Sequence, residues 1–389
     1  MFIVQKYGGS SLQTAEDIKK VAGRIAELYH KKTNLIVVVS AMGNTTNELT
    51  DLAKKISPSP SQRELDMLLT TGERISMALL SMALIDLDVP AISFTGSQAG
   101  VMTNDSFNNA QILDIKPIRV EEALKQNKVV VLAGFQGVSP KTKEITTLGR
   151  GGSDTTAIAM AAHFKASRCE ILKDVDGIAT ADPKVNKNAK VISEIAYNHL
   201  TDMTFWGARF LHHRAAELAQ HLNVPVFIGP SHKTGIGTII KGESLMYENQ
   251  KILSVNSHAF VREVSISADE LHEAIDKVQA TLTKKQLPML QILHSERKER
   301  QWKLLLTGAK EHITPINGIF NETNELSTVT TTCLGLVASS KAAELAKKLK
   351  SNGIETKNII YAPLSITFVL DQRDREKAIH TLSMQHAND

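Results

Sequence analysis

The stretch FIVQKYGGSSLQTAEDIKKVAGRIAEL, residues 2–28, predicts a strand, a glycine turn and a helix in succession. Residues 2–5 are mostly apolar, and beyond Thr14 apolar residues recur at helical spacing behind two acids that suit a first turn. The run 35–39 is continuously apolar, as expected for a strand covered on both faces. Because strands and helices alternate in this way to about residue 240, we expect a layered αβα domain with a mainly parallel sheet.

The pattern changes near residue 242, where we expect a domain boundary that separates residues 1–242 from residues 243–389. Before it, further strands are predicted at 91–94, 129–135 and 169–172, and further helices at 62–87 and 155–164. After it, two passages share one order of strands and helices. The first has 260–267, 269–284, 289–293 and 302–307, and the second 327–338, 341–352 and 359–370. This order suggests a weak internal duplication with a period of about 60 residues.

Composition excludes several classes of protein. The 389 residues exceed what one hydrophobic core usually holds, and apolar types at 42% with charged types at 22% are typical of a folded chain. The net charge of +4 is too small to indicate a nucleic-acid or membrane partner. Cys169 and Cys333 stand too far apart for a disulfide framework, no apolar run approaches about 20 residues, and no signal peptide is evident. We expect a cytoplasmic enzyme or regulator.

A glycine turn follows the first strand. Glycines allow the backbone N–H groups of Gly8, Gly9 and Ser10 to approach a phosphate, and Lys6 supplies a compact positive charge. Neither GxxxxGK[ST] nor GxGxxG occurs here, so the common nucleotide fingerprints do not apply. An ordinary strand-to-helix turn with a solvated lysine is an equal alternative.

A second glycine-rich stretch, TTLGRGGSDTT at residues 146–156, leads into an alanine-rich helix. An anion could bind at the start of that helix, and Arg150 could hold a carboxylate or a phosphate through two hydrogen bonds. Asp154 has two interpretations. It is either a first-turn acid favoured by the helix dipole, or a carboxylate that orients Lys6 or a metal ion.

Polar residues also follow other predicted strands. The loop from Ser40 to residue 47 is rich in hydroxyls and lies where ligands bind in open α/β sheets, although hydroxyl-rich loops are common. Glu73 offers a carboxylate for an ammonium group, or else a solvent ion pair. The acidic loop beginning at Asp174 resembles many surface turns. The adjacent His212 and His213 lack the spacing of a metal site, and we expect no metal there.

In this order the segments resemble the aspartate kinase family of the amino acid kinase superfamily. The matching segments are KYGGSSL (6–12), VVVSAMGNTTNEL (37–49), LLTTGERIS (68–76), GFQG (134–137), TTLGRGGSDTTAIAMAA (146–162), DVDGIATADPK (174–184) and GARFLHHRAAELA (207–219). The glycine motifs together with the SAMG loop separate this family from carbamate, glutamate, acetylglutamate and uridylate kinases. The strand SITFVL (365–370) and the following DREKAIHTL (374–382) resemble the paired ACT regulatory domains of the family, each of βαββαβ order.

The resemblance implies transfer of the ATP γ-phosphoryl group to the side-chain carboxylate of L-aspartate, with Mg²⁺ arriving on the nucleotide. It implies a homodimer formed through the ACT domains. Lys6 and Asp154 would then be catalytic, with Asp154 holding Lys6. The substrate would be bound by Ser40, Thr46, Glu73, Phe135, Arg150 and Ser153, in which Arg150 takes the α-carboxylate and Glu73 the α-ammonium group. The nucleotide would be bound by Lys6, Gly8, Gly9, Ser10, Gly152, Asp174, Lys184 and Arg209.

Five positions depart from the family pattern, namely Lys173, Ala179, Lys184, Arg209 and His213. The family usually has threonine, tyrosine, arginine, lysine and proline there, so we expect altered nucleotide affinity. Two alternatives to an active aspartate kinase remain open. One is a kinase of the same superfamily with a different acceptor, and the other is a ligand-sensing regulator whose kinase site has decayed.

The first predicted ACT strand, residues 264–267, passes into residues 268–271 without the proline and glycine that family members regulated by lysine or threonine usually carry. The stretch 337–341 after Leu336 lacks both as well. Asp269 and Glu270 would also repel the carboxylate of an amino acid. We therefore expect weak or absent inhibition by lysine and threonine.

Overall fold

A computed structural model describes residues 1–233, 235, 237–242, 251–285, 287, 289–316, 319–320, 325–335, 337 and 339–383. The chain divides into two compact units. The first comprises Met1–Ile178, Val191–Thr204 and Arg209–Glu243, and the second Ala179–Lys190, Phe205–Ala208 and Ser244–Asp389. The boundary predicted between residues 242 and 243 stays a prediction, because residue 243 lies outside the described residues.

The first unit alternates strands and helices. Its strands are β1 Phe2–Tyr7, β2 Asn34–Val39, β3 Ala91–Phe94, β4 Val101–Thr103, β5 Ile112–Ile115, β6 Val129–Ala133, β7 Gln136–Val138, β8 Ile145–Thr147, β9 Arg168–Lys173, β10 Glu194–Ile195, β11 Val226–Pro230 and β12 Thr238–Ile240. Its helices are α1 Ala15–His30, α2 Thr45–Ile56, α3 Gln62–Ile85, α4 Ile118–Lys125, α5 Gly152–His163, α6 Tyr197–Phe205 and α7 His213–His221. The last residue of α6, Phe205, belongs to the second unit.

Eight strands form the main sheet, in the order β10-β12-β11-β9-β1-β2-β6-β3. Neighbouring strands from β11 to β3 are all parallel, and β12 is antiparallel to β11. Four short strands form a second sheet, β5-β4-β7-β8, which the sequence did not predict. The predicted α/β fold with a mainly parallel sheet is confirmed.

Alternation along the central strands assigns each side chain to one face of the sheet. Tyr7, Val37 and Val131 belong to a core that includes buried residues of α1 and α3. On the other face α5 packs against β1, β2 and β9. Lys6, next to Tyr7 in β1, therefore points toward the face that α5 covers, which places its charge beside the start of that helix.

Residues with positive φ lie at two places where the structure differs from the predicted boundaries. The strand predicted at 129–135 ends at Ala133, and Phe135 adopts a positive φ of 69° before β7 begins. The helix predicted from residue 155 begins at Gly152, because Gly151 has a φ of 72° and turns the chain into the helix immediately before it. The helix thus starts three residues closer to the glycine loop.

The second unit contains one sheet. Its strands are β13 Ile252–Ser267, β14 Gln291–Lys298, β15 Gln301–Thr307, β16 Leu326–Cys333, β17 Thr356–Tyr361 and β18 Ser365–Asp371. Its helices are α8 Leu271–Lys284, α9 Lys310–Ile313, α10 Ser339–Ser351 and α11 Arg375–Ser383. The order β14-β15-β13-β16-β18-β17 is antiparallel throughout, and β13 pairs with β16 to join the two halves.

The duplicated order of elements is present, with a helix after the first strand of each half. The strand predicted at 359–370 is a hairpin, because a two-residue turn at Pro363 reverses the chain between β17 and β18. Within the described residues each half supplies three strands, so the βαββαβ order stays a prediction. Leu336 and Ala338, part of the stretch considered for effector binding, lie outside the described residues.

Helix α3 is long and apolar enough to cross a membrane by length and composition alone, a test that core helices also pass. In the first unit it packs against β2, β3, β6 and β8. It also carries two buried carboxyl groups, Asp66 and Glu73.

Asp66 ties α3 to the small sheet. It is completely buried, and its carboxylate accepts hydrogen bonds from the backbone N–H of Thr147 at 2.8 Å, the hydroxyl of Thr147 at 2.7 Å and the backbone N–H of Asn108 at 3.1 Å. Burial raises the pKa of Asp66, and these hydrogen bonds oppose the rise. Because Thr147 precedes the glycine loop, Asp66 helps to set the position of that loop.

Replacing Asp66 by alanine should lower the free energy of unfolding by about 2–3 kcal/mol, because it strands buried N–H donors. Urea unfolding measures this loss. The control is Asp51→Ala on the exposed surface of α2, which should change the free energy by less than about 0.5 kcal/mol. Equal effects of the two substitutions would contradict the structural role of Asp66.

Candidate active site

The predicted site residues of the first unit gather mainly at one edge of the main sheet. The parallel strands β1, β2, β6 and β9 end together there, and the glycine loop after β8 leads into α5 on the same side. Lys6 is the next-to-last residue of β1, Ser40 follows β2, and Phe135 follows β6 by two residues. Polar loops at the carboxyl ends of parallel strands are the usual ligand site of such sheets.

Lys6 and Asp154 form a buried ion pair. Lys6 Nζ lies 2.6 Å from Asp154 Oδ1, and Lys173 Nζ lies 3.6 Å from Asp154 Oδ2. Burial raises the pKa of Asp154, but the charges of Lys173 and Lys6 outweigh this effect and lower the pKa to about 2. Asp154 is thus an ionised carboxylate between two ammonium groups. This geometry suits the interpretation in which Asp154 orients Lys6, whereas a first-turn acid that only favours the helix needs no such partners.

Glu73 is a buried carboxylate with one oxygen engaged. Its Oε1 accepts a hydrogen bond from the backbone N–H of Ala41 at 3.1 Å, and its Oε2 is buried with no hydrogen-bond partner among the residues that the structure describes. Burial raises the pKa of Glu73 to about 7, opposed by the hydrogen bond from Ala41 and by the charge of Lys6. The alternative of a solvent ion pair is wrong for Glu73, which is 3% exposed.

Close packing shapes the glycine loop. A Cβ atom on Gly151 would overlap the side chain of His212, and one on Gly152 would lie 2.9 Å from the ring of Phe135. A Cβ atom on Gly134, just before Phe135, would lie 2.8 Å from Ser153 Oγ. Any larger side chain would displace these neighbours. The loop therefore brings Gly152, Ser153 and Phe135 together, and their roles in binding stay predictions.

The other predicted residues are placed less decisively. Ser40 and Thr46 are half-buried, the first just after β2 and the second in the first turn of α2. Arg150 and Ser10 are exposed.

The predicted nucleotide residues Asp174, Lys184 and Arg209 are exposed. Asp174 directly follows β9, while Lys184 belongs to the second unit. Their role in nucleotide binding stays a prediction.

Sequence reasoning missed three contributors. Lys173 was noted only as a departure from the family pattern, although its side chain reaches Asp154. Ala41 takes part through its backbone, which no side-chain pattern reveals. His212 was considered only as a metal ligand, whereas it packs against Gly151, and burial lowers its pKa against the opposing charge of Asp154. Of these three residues, only Lys173 could have been found from the sequence, because it directly follows the predicted apolar strand 169–172.

Comparison with known proteins gives a consistent result. The model of the amino acid kinase family matches residues 1–230. The aspartokinase of Geobacillus stearothermophilus is 36% identical over 98% of this chain and 96% of its own length. The aspartokinase of Mycolicibacterium smegmatis is 51% identical over 62% of this chain, and the match spans only 57% of that relative.

Solved structures agree on the fold. Escherichia coli aspartokinase III, in complex with aspartate and ADP, has a TM-score of 0.80, 22% identity and 99% coverage of both chains. The aspartate kinase of Synechocystis has a TM-score of 0.57 and 35% identity, and covers all of this chain and 69% of its own. On the family match and the full-length relative, this chain belongs to the aspartokinases of the amino acid kinase family.

Proposed function

We propose that this chain transfers the γ-phosphoryl group of ATP to the side-chain carboxylate of L-aspartate, giving 4-phospho-L-aspartate. The observation that carries the proposal is the buried Glu73 carboxylate, whose Oε2 has no partner in the described part of the chain and which lies within electrostatic range of Lys6. A buried carboxylate without a partner is costly unless a cation binds it. The α-ammonium group of an amino acid is a cation of the right size, and this favours an amino acid over a carbamate or nucleotide acceptor.

The site residues supply charge and position. The acceptor carboxylate is already ionised at neutral pH, so no base is required. The bond from the γ-phosphorus to the bridging oxygen breaks, a bond to the acceptor oxygen forms, and ADP leaves with the electron pair. Charge spreads over the phosphoryl oxygens during this step, and Lys6 stabilises it while Asp154 orients Lys6.

Backbone donors complete the phosphate site. Gly8 and Gly9 follow β1, and Gly152 begins α5. The N–H of Gly8 already donates to the carbonyl of Leu172 at 3.2 Å, and that of Gly152 to the carbonyl of Gly149 at 3.0 Å. We therefore propose that Gly8 and Gly152 leave room for the phosphates, and that the N–H of Gly9 is the backbone donor. We propose that Mg²⁺ arrives with ATP, held mainly by phosphate oxygens and water. Asp174, exposed and directly after β9, would offer a carboxylate oxygen to this ion at the same edge of the sheet. When bound, the ion would neutralise part of the phosphate charge. The described part of the chain contains no group of three or more His, Cys, Asp or Glu able to hold a metal.

The remaining assignments follow the family. We propose that Arg150 binds the substrate α-carboxylate, and that Ser40, Thr46, Phe135 and Ser153 line the substrate pocket. We also propose a cytoplasmic homodimer that associates through the second unit and serves the entry step to lysine, threonine and methionine.

Aspartate should be phosphorylated in an ATP-dependent hydroxylamine assay, in which acyl phosphate is trapped as the hydroxamate. Glutamate is the control substrate, and it should give little product because its longer side chain misplaces the carboxylate. Product from glutamate alone, or from neither amino acid, would overturn the proposed function.

Replacing Lys6 by alanine should lower kcat about 100- to 1,000-fold with little change in KM for aspartate, because the charge is needed most in the transition state. Arg150→Ala should mainly raise KM for aspartate. Steady-state kinetics separates the two effects, with Lys19→Ala on the exposed surface of α1 as the control. An identical defect in both variants would disprove this division of roles.

The kcat/KM for aspartate should fall as pH drops below about 7, because the pKa of Glu73 is raised to about 7 and only its ionised form pairs with an ammonium group. The Glu73→Gln variant should be slower, and its kcat/KM should no longer fall as pH drops below about 7. If the fall in kcat/KM at acid pH persists in Glu73→Gln, the titration of another group causes that fall.

Folding stability should change with pH in the opposite direction, and should fall as pH rises toward 7. The native state keeps the proton to about pH 7 while the unfolded chain releases it near 4.5, so ionisation of Glu73 opposes folding as pH rises across that window.

A further inference from the structure

Lys173 is the last residue of β9, directly beside the glycine turn that follows β1. In the parallel pair Tyr7 lies opposite Leu172, and the N–H of Gly8 donates to the carbonyl of Leu172 at 3.2 Å. Gly8 therefore lies beside Lys173. By alternation along the two strands, the side chain of Lys173 points to the same face of the sheet as that of Lys6. A Cβ atom on Gly8 would lie 3.8 Å from Lys6 Nζ and 3.9 Å from Lys173 Cγ, so a glycine keeps the space between the two lysines open.

Lys6 and Lys173 share one contacting carboxylate. Asp154 lies 2.6 Å from Lys6 and 3.6 Å from Lys173. The exposed carboxylate of Asp174 also acts on Lys173, but more weakly than Lys6 and Asp154 do. Burial and the charge of Lys6 lower the pKa of Lys173, and Asp154 opposes this effect. The two ammonium groups thus share the carboxylate of Asp154, which can accept only part of their N–H donors, so an anion could bind both.

The two lysines differ in how they are held. The side chain of Lys6 is 7% exposed and that of Lys173 is 20% exposed, so Lys173 is the more open to an incoming ligand. The backbone of Lys173 is fixed, because its carbonyl accepts the N–H of Ser231 at 2.8 Å. Arg24 of α1 in turn donates to the carbonyls of Pro230 and Ser231 at 2.6 and 2.9 Å. This arrangement presents an ammonium group from a rigid strand end.

We propose that Lys173 is a second phosphate-binding cation of this site, contacting the β- and γ-phosphate oxygens of the nucleotide together with Lys6. Asp154 orients both ammonium groups and keeps them apart, and the open space beside Gly8 admits the phosphate oxygens. Lys173 then shares the charge that develops as the γ-phosphoryl group moves from ADP to the acceptor carboxylate. The inference deepens the proposed function and rests on its nucleotide site, but it does not depend on the identity of the acceptor.

The test measures nucleotide affinity by calorimetry, with Mg²⁺ and without any acceptor. Lys173→Met should weaken binding of the β,γ-imido analogue of ATP about 10- to 100-fold, the loss expected for one charge-assisted hydrogen bond, and should leave AMP affinity within about twofold of wild type. Lys173→Arg should restore most of the affinity for the analogue. The control is Lys125→Met, an exposed lysine at the end of α4, which should match wild type.

Kinetics supply the second readout. Lys173→Met should lower kcat about 100-fold while KM for aspartate stays within about twofold. Wild-type affinity for the analogue in Lys173→Met would overturn the inference. The inference would also be overturned if Lys173→Met lost affinity equally for AMP and the analogue and had a lower midpoint of thermal unfolding. That result would assign Lys173 a structural role. If Lys173→Met does not fold, Lys173→Gln takes its place under the same criteria.

The outcome also separates this inference from the proposed function. Phosphate-dependent loss of affinity in a protein that does not phosphorylate aspartate would support the role of Lys173 and refute the acceptor. If the protein phosphorylates aspartate and Lys173→Met changes neither the nucleotide affinity nor kcat, the acceptor is supported and the role of Lys173 is refuted.

Discussion

The ionised carboxylate of Asp154 organises the positive side of the candidate site. It is buried at the first turn of α5, where the helix dipole favours a negative charge, and it holds the ammonium groups of two strands. Without it Lys6 and Lys173 would repel each other in a region poor in water. One helix terminus therefore sets the positions of two charges, one from β1, which is far from α5 along the chain, and one from β9, the strand that follows α5.

The parallel sheet makes this arrangement possible. Because β1, β2, β6 and β9 run in one direction, their carboxyl ends meet and their following loops share one edge. Alternation then decides which side chains reach it, since Tyr7 enters the core beneath α1 while Lys6 faces α5. A shift of one residue in β1 would bury Lys6 among apolar side chains and remove the charge from the site.

The site retains interactions that a protein selected for stability alone would avoid. Among the described residues the Oε2 of Glu73 has no hydrogen-bond partner, and the ammonium groups of Lys6 and Lys173 share the carboxylate of Asp154. Each of these costs folding free energy in the absence of ligand. Each also matches a charge of the proposed substrates, with the carboxylate suited to an ammonium group and the two ammonium groups suited to phosphates. Buried hydrogen bonds elsewhere, such as those from Thr147 to Asp66, stabilise the fold and offset this cost.

The sequence by itself determined the fold class, the main strands and the candidate residues Lys6, Glu73 and Asp154, because apolar periodicity and glycine motifs are local signals. It also pointed to the family through the order of those motifs. Three features emerged from the folded chain alone. Asp154 lies between two lysines, Glu73 is buried with one oxygen that has no partner among the described residues, and the described strands of both halves of the second unit share one sheet. The reason is physical, since burial, partner geometry and strand pairing depend on residues far apart in the chain. The charge of Lys173 was visible in the sequence, but its meaning depends on the register of β9 beside β1.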